Sequence, residues 1–379
     1  MGPRPQRLDR LPQQYFVALL AKVAAAAAED GPPLVDLGRG NPELGPPPHV
    51  AAALAESAAR HDVHGYAPIR GLPRTKEALA ARYRDVYGVE VDPEREVALI
   101  PGTKTGIVEL ALVLANEGDT ILLPDPYFPD YRSGPALAGA RLETVPLRPG
   151  DGWSPDLDVA PAAAALYLNY PSNPCAVCAP PGTFASAVSW AERTGGAVVH
   201  DAAYTDIVFD GRRAESFLAT PGAKDVGVEM WSMSKTYGMA GWRIGFVVGN
   251  AEIVERVNLL NDHERVGIFE PLQRAAIAAL EGPQDSVAAR VAGYERRRDL
   301  IASALPGPVV CEGTFFVWLQ LPEGLTAERL LEEHRVAVAP GEGFGPSGAG
   351  WARISLAVAD DVVEAGAERL ANAFAGVAA

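Results

Sequence analysis

At 379 residues the chain is too long for one ordinary core and too short for three, since domains cluster near roughly 100–150 residues. Hydrophobic residues make up 48% and charged residues 21%, a balance that excludes a largely disordered chain. Lys and Arg number 33 against 48 Asp and Glu, and no basic cluster reverses the net charge of −15 locally, so nucleic acid and anionic membrane are poor partners.

The pattern predicts a first helix over Leu11–Glu29, stopped by Asp30-Gly31-Pro32-Pro33. A short apolar run, Val35–Leu37, leads into the turn-rich Gly38-Arg39-Gly40-Asn41-Pro42. Helices are expected from Pro47 to about Ala59 and from Thr75 to Tyr87. Strand and helix then alternate: strand Val97–Ile100, helix Lys104–Asn116, strand Thr120–Leu123, helix Tyr127–Ala138 and strand Arg141–Val145. Strand Ala165–Asn169, helix Gly182–Thr194 and strands Ala197–His200, Gly227–Ser232 and Ile244–Val248 follow. Short strands this rich in Val, Leu and Ile suit a mostly parallel sheet covered on both faces, with its sites at the carboxyl ends of the strands. A long arginine-rich helix over about Gln284–Leu305 reads as a spine. Strands Phe315–Leu319, Val336–Ala339 and Ala352–Ala357 with intervening helices predict a smaller α+β unit beyond it.

The three cysteines cannot make a disulfide framework. Cys175-Ala176-Val177-Cys178 spells C-x-x-C, but zinc needs two more ligands and Cys311 is the one other thiol, so no metal is expected. The N-terminus has no signal-like apolar segment and no stretch of 18 apolar residues occurs, so a soluble cytoplasmic protein is expected.

Four strand-end segments carry candidate chemistry. Ser232-Met233-Ser234-Lys235, with Arg243 eight residues on, sets a lysine in a turn beside a second cation. Such a lysine has a lowered pKa and can form a Schiff base with a carbonyl, while Arg243 suits a phosphate; the plain alternative is a surface lysine in a polar loop. His200-Asp201, with Tyr204 three residues on, ends a buried strand in a carboxylate that needs a cationic partner such as a protonated pyridine, or merely caps the next turn. Asn169-Tyr170-Pro171-Ser172-Asn173-Pro174 is either a site loop or a tight connection. Pro101-Gly102-Thr103-Lys104 runs from strand to helix, where exposed N–H groups make an anion pocket, though neither a P-loop nor a dinucleotide fingerprint is present. One strand on, Pro124-Asp125-Pro126-Tyr127-Phe128-Pro129 supplies aromatics to cover a flat ring.

In this order, from Leu37-Gly38-Arg39-Gly40-Asn41-Pro42 to Arg353-Ile354-Ser355, the segments resemble the pyridoxal-phosphate (PLP)-dependent aminotransferases of fold type I, class I/II. Asp125–Pro129, Asn258–His263 and Ala339–Gly345 look most like the bacterial branch of LL-diaminopimelate, alanine and methionine-salvage glutamine aminotransferases. The resemblance implies an α/β fold, with a large PLP domain built on a mostly parallel central sheet and a smaller α+β domain. Its expected division is residues 1–46 (N-terminal helix and segment joining the small domain), 47–283 (large domain) and 284–379 (small domain). It implies ping-pong transfer from an L-amino acid to a 2-oxo acid through a Lys235 aldimine, with Asp201 on the pyridinium nitrogen. Tyr204 and Asn173 would bond the ring O3′, and Phe128 would cover the ring. Gly102, the Thr103 and Lys104 N–H groups, Ser232, Ser234 and Arg243 would hold the phosphate. Tyr66 would reach the phosphate of the neighbouring subunit of a homodimer. Arg353 would clamp the substrate α-carboxylate, Asn173 would also bind the substrate, and Gly40 would line the substrate side.

Arg39, between two glycines, either projects over the pocket mouth to influence donor choice or is a solvated turn residue. Where the family carries Thr-Gly after its Asn-Pro turn, this chain has Cys175-Ala176. The alternatives are a PLP-dependent lyase acting by C–S β-elimination or decarboxylating deamination, and a non-catalytic binding module. Intact Lys235, Asp201, Arg243 and Arg353 argue against the latter.

Overall fold

A computed structural model describes residues 4–307 and 309–378. Helices α1 (Gln6–Asp9) and α2 (Tyr15–Ala27) precede β1 (Val35–Asp36), α3 (Pro48–Ala58) and α4 (Pro73–Arg82). The alternating region comprises β2 (Val97–Ile100), α5 (Thr103–Leu114), β3 (Thr120–Asp125), α6 (Ser133–Ala138), β4 (Arg141–Pro146), β5 (Ala165–Asn169), α7 (Thr183–Thr194) and β6 (Ala197–Asp201). It continues through α8 (Ala223–Val226), β7 (Gly227–Ser232), α9 (Met233–Thr236) and β8 (Gly245–Gly249). Then come α10 (Ala251–Glu264), α11 (Glu270–Glu281), α12 (Asp285–Ala304), β9 (Phe316–Gln320), α13 (Ala327–His334), β10 (Val336–Ala337), β11 (Ala339–Pro340), β12 (Trp351–Ser355) and α14 (Asp360–Ala378).

Seven strands form one sheet in the order β2-β8-β7-β6-β5-β3-β4. Its pairings are parallel except those of β8, which runs antiparallel to both neighbours. Alternate residues feed two separate cores. Leu99, Leu122, Leu166, Val198 and Phe246 pack on one face, and Ala98, Ile121, Tyr167, Val199 and Val247 on the other. That period of two explains why these strands are apolar throughout rather than every second residue. The carboxyl ends of β2, β3, β5, β6 and β7 consequently open on one edge, where the polar strand-end segments collect.

A three-stranded antiparallel sheet, β11-β12-β9, carries a third core with α12 and α14. The N-terminal segment joins it through β1, which pairs with β10 in parallel register, Val35 opposite Val336. The single strand expected at Val336–Ala339 is two, because its halves serve different sheets: β10 pairs with β1, and Ala339 sits opposite Arg353 of β12.

Other boundaries differ for local reasons. The helix expected from Tyr127 begins as a 3₁₀ turn at Pro129–Arg132 and becomes α-helical only at Ser133, since Pro129 and Pro135 lack the N–H a continuous helix needs. The helix expected from Thr75 starts at Pro73, where proline suits a first turn, and its last turn widens into a π turn over Tyr83–Tyr87 before Gly88 (φ 68°). Helices α10 and α11 were not foreseen. Asn250 announces α10 by accepting from the N–H groups of Glu252 and Ile253.

Candidate active site

Ser232, the last residue of β7, caps α9 by accepting the Ser234 N–H at 3.1 Å, and so presents Lys235 on the following turn. Lys235 is half-buried, with Nζ 3.4 Å from the Gly40 carbonyl and 5.3 Å from the Phe315 ring centroid. Burial first, then the charges of Arg353 and Arg243, pull its ammonium down to about 8, against a smaller opposing pull from Asp201. The turn is braced from behind. Thr236 Oγ1 donates to Asp206 at 2.8 Å, and Asp206 also pairs with the part-buried Arg82.

Arg243 lies in the left-handed region (φ 57°) and its guanidinium packs directly on Gly102. A Cβ at Gly102, itself at φ 83°, would overlap that guanidinium, so only glycine fits there. Gly102 leads into the twelve-residue α5, whose first N–H groups belong to Thr103 and Lys104. The Lys104 side chain is committed to Asp130 at 2.7 Å. The α5 N-terminus, Ser232, Ser234 and Arg243 thus border the same cavity, a set of donors of the kind that suits an anion.

Asp201 ends β6 directly opposite Asn169 of β5. Its Oδ2 accepts from the Tyr131 hydroxyl at 2.8 Å and its Oδ1 from the Ala203 N–H at 3.2 Å, so the capping alternative holds for one oxygen only. Burial drives its carboxyl above the usual range, opposed by the Tyr131 hydrogen bond and the neighbouring charges. Among the described residues, no cationic side chain forms a salt bridge with it.

Asn173 is fixed through its backbone, donating its N–H to Asn169 Oδ1 at 2.7 Å. Its Oδ1 accepts from Arg353 at 2.8 Å. Arg353 is 1% exposed and lies among three rings, with its guanidinium carbon 3.9 Å from the Phe316 centroid, 4.8 Å from Phe344 and 5.2 Å from Phe16. No carboxylate answers it among the described residues, its Nε has no partner, and burial lowers it to about 10. Its other hydrogen bond, at 3.4 Å, goes to the Gly38 carbonyl, so the buried charge has no anionic partner among the described residues, and burying a charge unpaired is costly.

A cavity of about 550 Å³ unites these groups. Of the residues singled out in the sequence, all but Gly102 and Tyr66 line it. Gly102 acts beneath it through Arg243, and Tyr66 stands 89% exposed on the surface. Arg39 is at its margin, paired with Asp36 at 2.6 Å. Tyr131, Phe16, Leu19, Leu20, Val23, Asp36 and Phe316 line it without having been foreseen. Their signal was faint: Phe16, Leu19, Leu20 and Val23 recur at helical spacing, but nothing local says what that face covers.

Ala176 keeps the turn after Asn173 in the left-handed region (φ 59°), although it stands where the family carries glycine. Cys175 and Cys311 are buried and Cys178 partly so; burial raises all three thiols, that of Cys178 to about 11.

The family model for aminotransferase class I and II matches residues 32–370. The chain is 43% identical to the L-glutamine–4-(methylsulfanyl)-2-oxobutanoate aminotransferase of Bacillus subtilis, over 96% of this chain and 94% of that one. It is 38% identical to the LL-diaminopimelate aminotransferase of Moorella thermoacetica, over 96% of this chain and 97% of the other. Among solved structures, substrate-bound BacF from Bacillus subtilis superposes with a TM-score of 0.92 at 36% identity, covering 99% of this chain and 98% of that one. These relatives are transaminases, and none of these matches favours the lyase alternative. The chain belongs to the class I and II aminotransferases: it is a PLP-dependent, fold type I enzyme that transfers amino groups.

Proposed function

We propose that Lys235, Asp201, Arg243 and Arg353 carry the transfer, and that the donor is an L-amino acid and the acceptor a 2-oxo acid. One observation bears most of the weight: a lysine with its ammonium lowered to about 8 shares one cavity with Asp201 and Arg353. The substrates named for the relatives, glutamine with a methylsulfanyl oxo acid and LL-diaminopimelate, support the same class of reactants.

The residues present fit PLP at each of its handles. Asp201 is a buried carboxylate awaiting a cation, which a protonated ring nitrogen provides. Ser232, Ser234, Arg243 and the α5 N-terminus with Gly102 suit the phosphate. Tyr204 and Asn173 suit the ring hydroxyl, and Phe128 the ring face. Bound PLP supplies an aldehyde and an electron-withdrawing ring that takes up the electrons left when a bond at the substrate α-carbon breaks.

The chain's own residues do the rest. Asp201, whose Oδ2 is oriented by the Tyr131 hydroxyl, would hold the proton on the ring nitrogen. Lys235 Nζ, as a free amine, would take the proton from the substrate α-carbon and deliver it to the carbon that had carried the cofactor's aldehyde. Arg353 grips the α-carboxylate bidentately, which fixes the orientation of the α-carbon bonds. Gly40 leaves room for this, since a Cβ there would come within 3.4 Å of the Arg353 guanidinium and 3.2 Å of Phe316.

We further propose a homodimer in which Tyr66 completes the partner's phosphate site. Tyr66, Ile69, Val266 and Phe269 are exposed together around the close approach of Gly267 to the Pro68 carbonyl, and such apolar surface suits an interface. The division into residues 1–46, 47–283 and 284–379 is supported by the two separate sheets and by the β1–β10 pairing; residues 1–3, 308 and 379 lie outside those described. A cytoplasmic site of action accords with three free thiols, and no described helix is long and apolar enough to cross a membrane. The test is Lys235→Ala: turnover and the visible absorbance of bound cofactor should vanish while circular dichroism is unchanged. Full activity in that variant would overturn the reading.

A further inference from the structure

We infer that the substrate side chain is received by the wall that α2 builds over the cavity, and that the favoured substrates carry uncharged, largely apolar side chains. The inference rests on the reading of Arg353 as the carboxylate receptor and Lys235 as the reacting amine, which together direct the side chain of a bound amino acid towards the remaining lining.

That lining is distinctive. Phe16, Leu19, Leu20 and Val23 of α2 lie at spacings of three, four and seven, one face of a helix, and all four border the cavity. Leu20 is 45% exposed, so apolar surface is available there for a ligand to cover. The wall is firmly built. Gln14 caps α2 by accepting the Phe16 and Val17 N–H groups, and its amide donates to Asp130, which also holds Lys104 of α5. The Tyr15 hydroxyl donates to the Pro340 carbonyl at 2.8 Å, and its ring fills the space that a side chain at Gly343 would need.

Charge on this side is already neutralised. Beyond the residues assigned to cofactor and carboxylate, Asp36 and Arg39 are the charged residues of the lining, and they pair at 2.6 Å. Asp36 also holds the Gly38 N–H at 3.0 Å, so it is fastened in the turn. A distal carboxylate from aspartate or glutamate has to compete with Asp36 for Arg39 and sit beside a like charge. A leucine, methionine or phenylalanine side chain can lie on the hydrocarbon of Phe16, Leu19, Leu20 and Val23, and each added methylene in such a pocket is worth roughly 10-fold or more.

The experiment mixes holoenzyme with single amino acids and follows the change in cofactor absorbance during one turnover. The second-order rate constants for L-leucine, L-methionine and L-phenylalanine should exceed those for L-alanine, L-aspartate and L-glutamate by about 10-fold or more. Leu20→Arg should then lower the leucine-to-glutamate ratio by a similar factor, and Leu19→Gln should move it the same way, with thermal melts confirming folded protein. Glutamate or aspartate reacting faster than leucine, or a ratio unmoved in both variants, would overturn the apolar assignment while leaving the aminotransferase reading intact. Failure of every amino acid to react would instead bring down the assignment of Lys235, and this inference with it.

Discussion

The Tyr131 hydroxyl donates to Asp201 Oδ2 at 2.8 Å in a fully buried contact between residues 70 positions apart. Burial alone favours the neutral carboxylic acid, and this bond favours the carboxylate that a protonated ring nitrogen requires. Tyr131→Phe should therefore lower kcat/KM by about 10-fold or somewhat more, the scale of one hydrogen bond to a charged group. Asp201→Asn, which removes the charge outright, should cost far more than Tyr131→Phe. Steady-state kinetics on both variants checks the order, and equal activity of Tyr131→Phe and wild type would remove Tyr131 from the site.

Lys235 gives a pH signature. Attack on a carbonyl needs the neutral amine, and with its ammonium lowered to about 8 the reactive fraction rises through that pH. Reconstitution of the apoprotein with PLP should accelerate as pH climbs to about 8 and then level off. An ordinary lysine would keep the rate rising to about pH 10.4. The unfolded chain holds this proton up to about pH 10.4 and the folded chain only to about 8, so the apoprotein gains stability as pH rises between those values. Below pH 8 the burial penalty is present in full. Lys235→Met apoprotein should then be more stable than wild type at pH 7, with the difference shrinking towards pH 10; denaturant titrations at the two pH values test the sign.

Arg353 offers a kinetic test of a different kind. Its guanidinium lies among Phe16, Phe316 and Phe344, with Nη1 donating to Asn173 and Nη2 to the Gly38 carbonyl, an arrangement that an ammonium cannot reproduce. If Arg353 binds the substrate carboxylate as proposed, Arg353→Lys should raise KM for every amino acid and lower kcat/KM by about 100-fold, because an ammonium cannot make the paired hydrogen bonds of a guanidinium. An unaltered KM would mean that the carboxylate binds elsewhere.

The turn after Asn173 shows what could and could not be read in advance. Cys175-Ala176 stood out against the Thr-Gly of the family, but the consequence for the backbone was hidden. Ala176 retains the left-handed conformation (φ 59°) because its N–H is bonded to Ser172 and its carbonyl accepts from Glu312 and Gly313, which fix the turn from both sides. A non-glycine residue there is strained by about 1 kcal/mol. Ala176→Gly should recover part of this, raising the unfolding free energy by up to about 1 kcal/mol with little change in kinetics.

Local signals gave the sheet and the strand-end residues their place, since short runs of Val, Leu and Ile capped by polar residues leave few arrangements. The site's long-range partners were illegible for the opposite reason. Tyr131 reads as one more aromatic in a proline-rich loop, and its role depends on β3 and β6 sharing a sheet edge. The α2 face at Phe16, Leu19, Leu20 and Val23 was visible as a helix, but what it covers is set by Gln14 reaching Asp130 and Tyr15 reaching Pro340, 116 and 325 residues away. The splitting of Val336–Ala339 follows likewise from two partners, β1 and β12, that are remote in the chain.

Tyr66 provides the test of the proposed dimer, since in a single chain it lies 89% exposed. Its segment approaches the one that carries Val266 and Phe269, where Gly267 lies against the Ala67 and Pro68 carbonyls and His64 lies 6.1 Å from Phe269 between ring centroids, and Ile69, Val266 and Phe269 are all exposed. If Tyr66 donates to the partner's phosphate, one hydrogen bond is at stake, roughly 1 kcal/mol or about 5-fold in cofactor affinity. Tyr66→Phe should therefore release PLP several-fold more readily on dialysis while remaining dimeric. Phe269→Glu, which sets a charge on this exposed surface, should shift the sedimentation profile towards monomer and weaken cofactor retention at the same time. A wild-type protein that sediments as a monomer and keeps full activity at nanomolar concentration would refute both the dimer and the shared site.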